Sequence, residues 1–554
     1  MKKYLLLFVF VASFMTGTTQ IAPNKYYIQF TDKSDSPYSI DSPEEFLSQR
    51  AIDRRDRFDI AITEEDLPVN PQYISGVSAT GAAILNPTKW LNGLTIYTGN
   101  PAILDDIMDL PYVEGVYLLT RGEAGKQEKE FFSNESYYPV KEEGSLITKS
   151  ASLLDYGLAF NQIHMLKGEE LHNMGLTGEG MVIAVLDAGF FGTDNHIAFD
   201  SLFVNGQILG TKDFVAHSGT VYDYHTHGTS VLSTMGANVP GQMIGTAPHA
   251  DYYLLRTEDG ASEYIVEEYN WVSGVEFADS AGADVINSSL GYTTFDDPSQ
   301  DHTYADMNGN TTPITIGADI AASKGMLVVN SAGNSGSGSW YYIGAPADGN
   351  EVFSIGAVDA GGNLAGFSSR GPTADGRIKP NVCAQGAGAV VADPWGGSFT
   401  YSSGTSFSSP IIAGMSASLW QGTPDKTNLE IMQALMDNGN YAANPNNDYG
   451  WGIPNYLNAY TFLTVIEDSA PEGADIDIFP NPIAGQLNIQ LPGMEFGKEL
   501  NIKIFDQSGR LMMEFKKSAE DGMISLEGLG TLSKGLYLLR VYDQTGVYTT
   551  KFIK

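Results

Sequence analysis

Val182-Ile-Ala-Val-Leu-Asp187-Ala-Gly189 is an unbroken apolar run that stops on a carboxylate. A run without polar alternation reads as a strand buried on both faces, as in a parallel sheet covered by helices. The same character returns at Tyr252–Leu255, Val285–Ile286, Met326–Val329 and Val352–Val358. Between these runs, Ile265, Tyr269, Val272 and Val275 recur at helical spacing ahead of Gly282. Another helix is predicted over Ile316–Lys324, stopping at Gly325. Strand, helix, strand, helix predicts an α/β, doubly wound parallel sheet with right-handed crossovers over about Leu153–Phe462.

The flanks differ in kind. Residues 25–120 alternate β-like runs (Tyr26–Phe30, Leu94–Thr98, Val113–Leu119) with helix-like ones (Glu44–Arg57, Ala102–Asp109), predicting a small α+β domain. Arg121–Ser150 is polar and reads as an exposed linker, and Glu467–Asp475 as a second one. Beyond it, Leu487–Leu491, Leu500–Phe505, Leu511–Phe515 and Leu536–Val541 are short strands broken by turns, predicting a β-sandwich. At the start, Lys2 and Lys3 precede the apolar run Tyr4–Met15 and then Gly17, Thr18 and Thr19, the layout of a signal peptide. The predicted units are therefore 1–20 signal, 21–150 N-terminal domain and linker, 151–465 α/β domain, 466–475 linker and 476–554 sandwich.

A net charge of -35 excludes nucleic acid as a partner, since nothing here would displace phosphate counterions. No apolar run reaches spanning length, so no transmembrane segment is expected. The single cysteine, Cys383, rules out an intramolecular disulfide and sits in a largely apolar stretch, where it reads as core.

Three segments of the α/β part place a reactive side chain at a junction. Asp187 ends the first strand, where open parallel sheets bind their ligands. His225-Thr-His227-Gly-Thr-Ser-Val-Leu232 puts His227 at a predicted helix start, whose partial positive charge helps keep the imidazole neutral. His225 beside it raises a metal site, but no further His or Cys clusters nearby. Ser403-Gly-Thr-Ser406-Phe-Ser-Ser-Pro410-Ile-Ile-Ala-Gly414 puts Ser406 in a first helical turn, since Pro410 is tolerated only early in a helix. Each residue alone has an ordinary role, as a turn or cap. The order Asp, His, Ser is the one the convergent-triad rules give for one class of serine protease.

Together these segments resemble the subtilisin-like serine proteases, over about residues 153–462: Asp187-Ala-Gly, His227-Gly-Thr-Ser-Val and Gly404-Thr-Ser406-Phe-Ser-Ser-Pro410. Asn287-Ser-Ser-Leu-Gly291 and Ser331-Ala-Gly-Asn334-Ser resemble the two walls of that family's substrate cleft. The resemblance implies a secreted endopeptidase with Asp187, His227 and Ser406 as triad and Asn334 as oxyanion donor. It also implies a mostly apolar pocket from Ser289, Leu290, Gly291, Ala332 and Gly333, so an apolar residue is expected before the cut bond. Residues 25–120 lie where the family keeps a propeptide, which folds and inhibits its own protease. No cofactor is expected for the chemistry; structural calcium is common in the family, with no ligands assigned here. Phe479-Pro-Asn-Pro482, Lys534-Gly-Leu-Tyr537 and Lys551-Phe-Ile-Lys554 resemble the C-terminal sorting domain of the type IX secretion system of Bacteroidetes. Its machinery is the expected partner beside protein substrates, and the medium or cell surface the expected location.

Ala188 stands where relatives often have a hydroxyl residue, Phe407-Ser408 where Met-Ala is frequent, and Ser233 where glycine is frequent. Tuned activity is the expected consequence. The rival class is a catalytically silent surface adhesin on the same scaffold, against which the intact set of four residues argues. A lipase or esterase would need a Gly-x-Ser-x-Gly elbow, and the sequence has none in the required context.

Overall fold

A computed structural model describes residues 24–120, 136–138, 152–467, 476–483, 485–490, 499–505, 511–518, 523–542 and 547–554. The signal segment and most of both linkers lie outside these.

The N-terminal domain is a four-stranded antiparallel sheet, order β2-β3-β1-β4, of β1 (Lys25–Phe30), β2 (Ala83–Thr88), β3 (Gly93–Tyr97) and β4 (Val113–Leu118). Its helices are α1 (Gln49–Arg57), α2 (Pro71–Ala79) and α3 (Ala102–Met108), packed around Ile28, Phe30, Val77, Leu94, Ile96 and Ile107. The helix α2 and strand β2 went unread in the sequence, because Pro71, Gly76 and Pro87 interrupt both patterns.

The central domain is built on seven parallel strands in the order β12-β11-β10-β9-β6-β8-β7. They are β6 (Val182–Asp187), β7 (Ile208–Asp213), β8 (Asp251–Arg256), β9 (Val285–Ser288), β10 (Leu327–Ser331), β11 (Phe353–Val358) and β12 (Val382–Gln385). The runs read as strands are strands here. The missed edge strands are β7, whose Gly, Thr, Lys and Asp give it no apolar run, and β12, only four residues long. Strands added after β6 go first to one side, then to the other, so the order reverses at the β6–β9 pair. A crevice opens there at the carboxyl ends of the strands.

The central strands feed two cores. Ile183 and Val185 of β6 face one layer with Val231, Leu232, Ile411, Ile412 and Met415. Val182, Ala184 and Leu186 face the other with Trp271, Val272, Val275, Ile314 and Ala318. The first layer holds α4 (His227–Gly236) and α7 (Thr405–Gln421); the second holds α5 (Val266–Ala281) and α6 (Pro313–Ser323). A hairpin of β13 (Ala389–Asp393) and β14 (Ser398–Ser403) leads into α7. One expectation is corrected: the stretch read as an exposed linker contributes a strand, β5 (Ser136–Tyr138), paired with β14. Tyr137 and Tyr138 are strand formers, and β14 offers them an open edge.

The N-terminal domain sits on α5. Arg54, Arg55 and Lys89 converge on the buried carboxylate of Asp279 at 2.6, 3.0 and 3.0 Å. Glu276 accepts the main-chain N–H groups of Lys89 and Trp90 at 2.7 and 2.9 Å.

The tail folds as two antiparallel sheets. β15 (Asp477–Phe479), β16 (Leu487–Gln490) and β19 (Met523–Leu526) form one. β17 (Glu499–Phe505), β18 (Leu511–Ser518), β20 (Leu536–Tyr542) and β21 (Val547–Ile553) form the other. Leu487, Ile489, Ile502, Ile504, Leu539 and Phe552 close a common core between them.

Candidate active site

Asp187 is the last residue of β6, on the crevice side of the reversal, and is fully buried. The N–H of Ala188 donates to its Oδ1 at 2.7 Å, so the carboxylate keeps a main-chain donor although position 188 carries no hydroxyl. His227 opens α4, and its Nδ1 lies 2.8 and 2.9 Å from the two oxygens of Asp187. That arrangement fixes the ring and puts the proton on Nδ1, facing the carboxylate. The pairing needs α4 close to the loop after β6, and Gly228 permits it: a Cβ there would stand 2.4 Å from the carbonyl oxygen of Gly189. The neighbouring His225 has a structural task, its Nδ1 accepting the N–H of His227 at 3.2 Å. Among the described residues, a group of three possible metal-ligand side chains lies at Glu258, Glu263 and Glu267.

Ser406 is the second residue of α7, fully buried, with its Oγ lacking a hydrogen-bond partner among the described residues. A buried hydroxyl left unbonded carries a cost that a purely structural serine avoids. The bond between base and nucleophile in such sites often closes only when substrate is present. Its main chain is held firmly. The Ser289 hydroxyl donates to the Ser406 carbonyl at 2.9 Å, and the Ser409 hydroxyl donates to Asn287 Oδ1 at 3.2 Å. Phe407 packs its ring 6.1 Å from the His227 ring, centroid to centroid.

Asn334 follows β10 across the crevice. Its Oδ1 accepts from both the N–H and the hydroxyl of Thr405, at 2.8 and 2.9 Å. With the oxygen end fixed on Thr405, the NH2 end of the amide is turned the other way. Thr405 also accepts the N–H of Gly333 at 3.2 Å, and Gly333 has φ of +103°, a conformation that favours glycine. In the sequence Thr405 is one member of a motif; nothing but spatial proximity reveals its hold on Asn334. Of the residues expected to line a pocket, Gly291 and Gly333 are partly exposed. Ala332 is buried, the Leu290 side chain belongs to the core, and the Ser289 hydroxyl is committed to Ser406.

Ser233, another departure noted in the sequence, accepts the N–H of Ala392 at 2.8 Å and so ties α4 to the β13–β14 hairpin. Cys383 is buried, and burial pushes its thiol far up, which makes it inert.

A hydroxyl at a helix start, an imidazole oriented by a buried carboxylate and an amide donor facing the same crevice form the set that acyl transfer requires. Comparison with known proteins gives three matched regions. Residues 178–452 match the model of the Subtilase family. Residues 25–131 match the Peptidase S8 propeptide domain of Bacteroidota, and residues 477–554 the Secretion system C-terminal sorting domain. Subtilisin E of Bacillus subtilis is 31% identical over 318 residues, covering 57% of this chain and 73% of that protein. Subtilisin of Bacillus pumilus is 31% identical over 297 residues, covering 53% and 95%. M-protease of Shouchella clausii is 30% identical over 315 residues, covering 57% and 72%.

Proposed function

The chain belongs to the subtilase family and is a serine endopeptidase exported through type IX secretion, and we propose that Asp187, His227 and Ser406 are its catalytic triad. The observation that carries this reading is the two-oxygen grip of Asp187 on His227 Nδ1, with a buried Ser406 hydroxyl that has no hydrogen-bond partner among the described residues.

In the first half-reaction Ser406 Oγ bonds to the scissile carbonyl carbon while His227 Nε2 takes the hydroxyl proton. Asp187 stabilises the imidazolium that forms. The carbonyl oxygen, now an oxyanion, receives hydrogen bonds from the Asn334 amide and the Ser406 N–H at the helix start. The C–N bond then breaks, His227 returns its proton to the leaving amine, and the acyl group stays on Ser406. Water repeats the sequence with His227 as base and releases the acid. The main-chain edges at Ser289–Gly291 and Ala332–Gly333 line the pocket for the residue before the cut, and the two glycines leave it open to an apolar side chain. The N-terminal domain, clamped on α5, acts as folding aid and inhibitor until it is cut away.

Purified mature enzyme assayed on casein and on a short-chain ester tests the reading. Casein hydrolysis lost in Ser406→Ala supports it. Hydrolysis undiminished in that variant refutes it, and no activity in the wild type leaves the surface-adhesin role instead.

A further inference from the structure

Three neighbouring strands of the central sheet end together beside the crevice. β8 lies between β6 and β7, and its last residue, Arg256, is in register with Asp187 on one side and Asp213 on the other. In-register residues of adjacent strands face the same side of a sheet, so a buried guanidinium stands there between two buried carboxylates. Its edges are all engaged. Nη1 donates to both oxygens of Asp213 at 3.3 and 3.4 Å, Nη2 lies 3.9 Å from Asp259, and Nε donates to the Ala188 carbonyl at 3.1 Å. Asp213 is itself anchored by the N–H groups of Val215, Ala216 and Ser218 at 3.0, 3.1 and 3.2 Å and by the Ser218 hydroxyl at 2.8 Å.

The flat face of the guanidinium makes the second contact. Its carbon lies 3.7 Å from the centre of the Tyr224 ring, and Tyr224 is three residues before His227. His225, between them, is tied to both sides: its Nδ1 accepts the His227 N–H at 3.2 Å, and its carbonyl accepts the Phe191 N–H at 3.2 Å. The two loops touch main chain to main chain, since a Cβ on Gly189 would stand 2.7 Å from both the Tyr224 Cβ and the His225 nitrogen. One side chain thus bonds the residue after Asp187 and stacks on the approach to His227.

The geometry points to Arg256 as a positioning residue for proton transfer: it clamps the loop after Asp187 against the loop before His227, and so keeps the imidazole seated on its carboxylate. This rests on the reading of Asp187, His227 and Ser406 as the triad. A planar guanidinium stacks on a ring while donating in its own plane, which an ammonium cannot do. Asp213 matches the charge of Arg256, which leaves placement as the side chain's contribution. The next residue adds a tie of a different kind: the Thr257 N–H donates to the Asp187 carbonyl at 3.1 Å. That bond uses no side chain, so it survives substitution at position 256 and keeps β6 in the sheet while the loop beyond it loosens.

The test compares mature wild type, Arg256→Met and Arg256→Lys on one peptide amide and by rate of labelling with a fluorophosphonate. Folded Arg256→Met should lose about 10- to 100-fold in kcat with KM nearly unchanged, the cost of a small drift between acid and base. Its labelling rate should fall by the same factor, because both reactions need His227 to take the Ser406 proton. A merely structural arginine would lower the unfolding midpoint and leave kcat and the labelling rate per folded molecule in place. That result overturns the proposal, as does a loss confined to KM. Arg256→Lys should recover only part of the loss, and full recovery overturns the planar clamp. If Arg256→Met does not fold, Tyr224→Leu against Tyr224→Phe decides: the lower kcat is expected in the leucine variant, and equal values overturn the stack. Full casein hydrolysis in Asp187→Ala overturns the triad reading instead, which keeps the two failures apart.

Discussion

Thr405 holds the oxygen end of the Asn334 amide by two bonds, and as the proposed oxyanion donor and its support the two residues make different predictions. Asn334→Ala removes the donor and should lower turnover by about 10²–10³ with little change in KM. Thr405→Val keeps the N–H bond and loses the hydroxyl one, so turnover should fall by about tenfold. Equal losses in both variants, or none in either, would contradict this division of labour; steady-state kinetics on one peptide amide measures it. At this scale the sequence displays Asp187, His227 and Ser406 because each adjoins a small or glycine residue that its junction requires. Thr405 escaped notice because a hydroxyl's partner 71 residues away leaves no local pattern. Leu290 stands beside a cleft glycine, and its side chain turns into the core, which the sequence does not display.

Among the elements, α5 carries the contact that keeps the N-terminal domain in place, and its two carboxylates titrate in opposite directions. Burial alone would raise Asp279, but Lys89, Arg55 and Arg54 outweigh it and hold the carboxyl well below its usual range. Its attraction is thus present at every pH above the ordinary carboxylate range. Burial pushes Glu276 up to about 7 from the ordinary 4.5, against the opposing pull of Lys89 and of the Trp90 and Lys89 N–H groups. Separated from the N-terminal domain, this carboxyl faces water and returns toward its ordinary value. The joined state consequently holds a proton that the separated state gives up between those values, so association is strongest in acid and weakens as pH rises through about 7. Inhibition of mature enzyme by the isolated N-terminal domain should weaken from pH 5 to pH 8, and Glu276→Gln should flatten that dependence; tighter inhibition at pH 8 would contradict the assignment. None of this was legible in the sequence. Glu276 and Asp279 look like ordinary solvated positions on a helix, and only the second domain makes them buried. The helix itself was legible, because Ile265, Val272 and Val275 face one core at helical spacing and Gly282 stops it with φ of +91°, while Tyr269 packs against Tyr27 of the N-terminal domain.

Across the whole molecule, the sorting tail keeps its own core and brings together the three segments that identified it. Ile553 donates its N–H to Asn481 Oδ1 at 2.8 Å, and Gly535 and Lys554 exchange main-chain bonds at 3.1 and 2.9 Å. Phe479–Pro482, Lys534–Tyr537 and Lys551–Lys554 thus meet at one corner. Their separation in the sequence hid that meeting, while the alternation of Leu487–Gln490 and Leu536–Val541 made the sheets themselves readable. Deleting residues 476–554 should leave an active protease retained in the periplasm, whereas the full chain reaches the medium or cell surface; cell fractionation followed by protease assay separates this from a substrate-binding role, which predicts normal export with a raised KM on large proteins. The central claim, that one serine does the chemistry through His227, is met most directly by covalent labelling. Mature enzyme treated with a fluorophosphonate should gain one adduct, mapped to Ser406, in step with complete loss of casein hydrolysis, and His227→Ala should gain none. Full casein hydrolysis without an adduct, or an adduct on another residue in step with the loss, would contradict it.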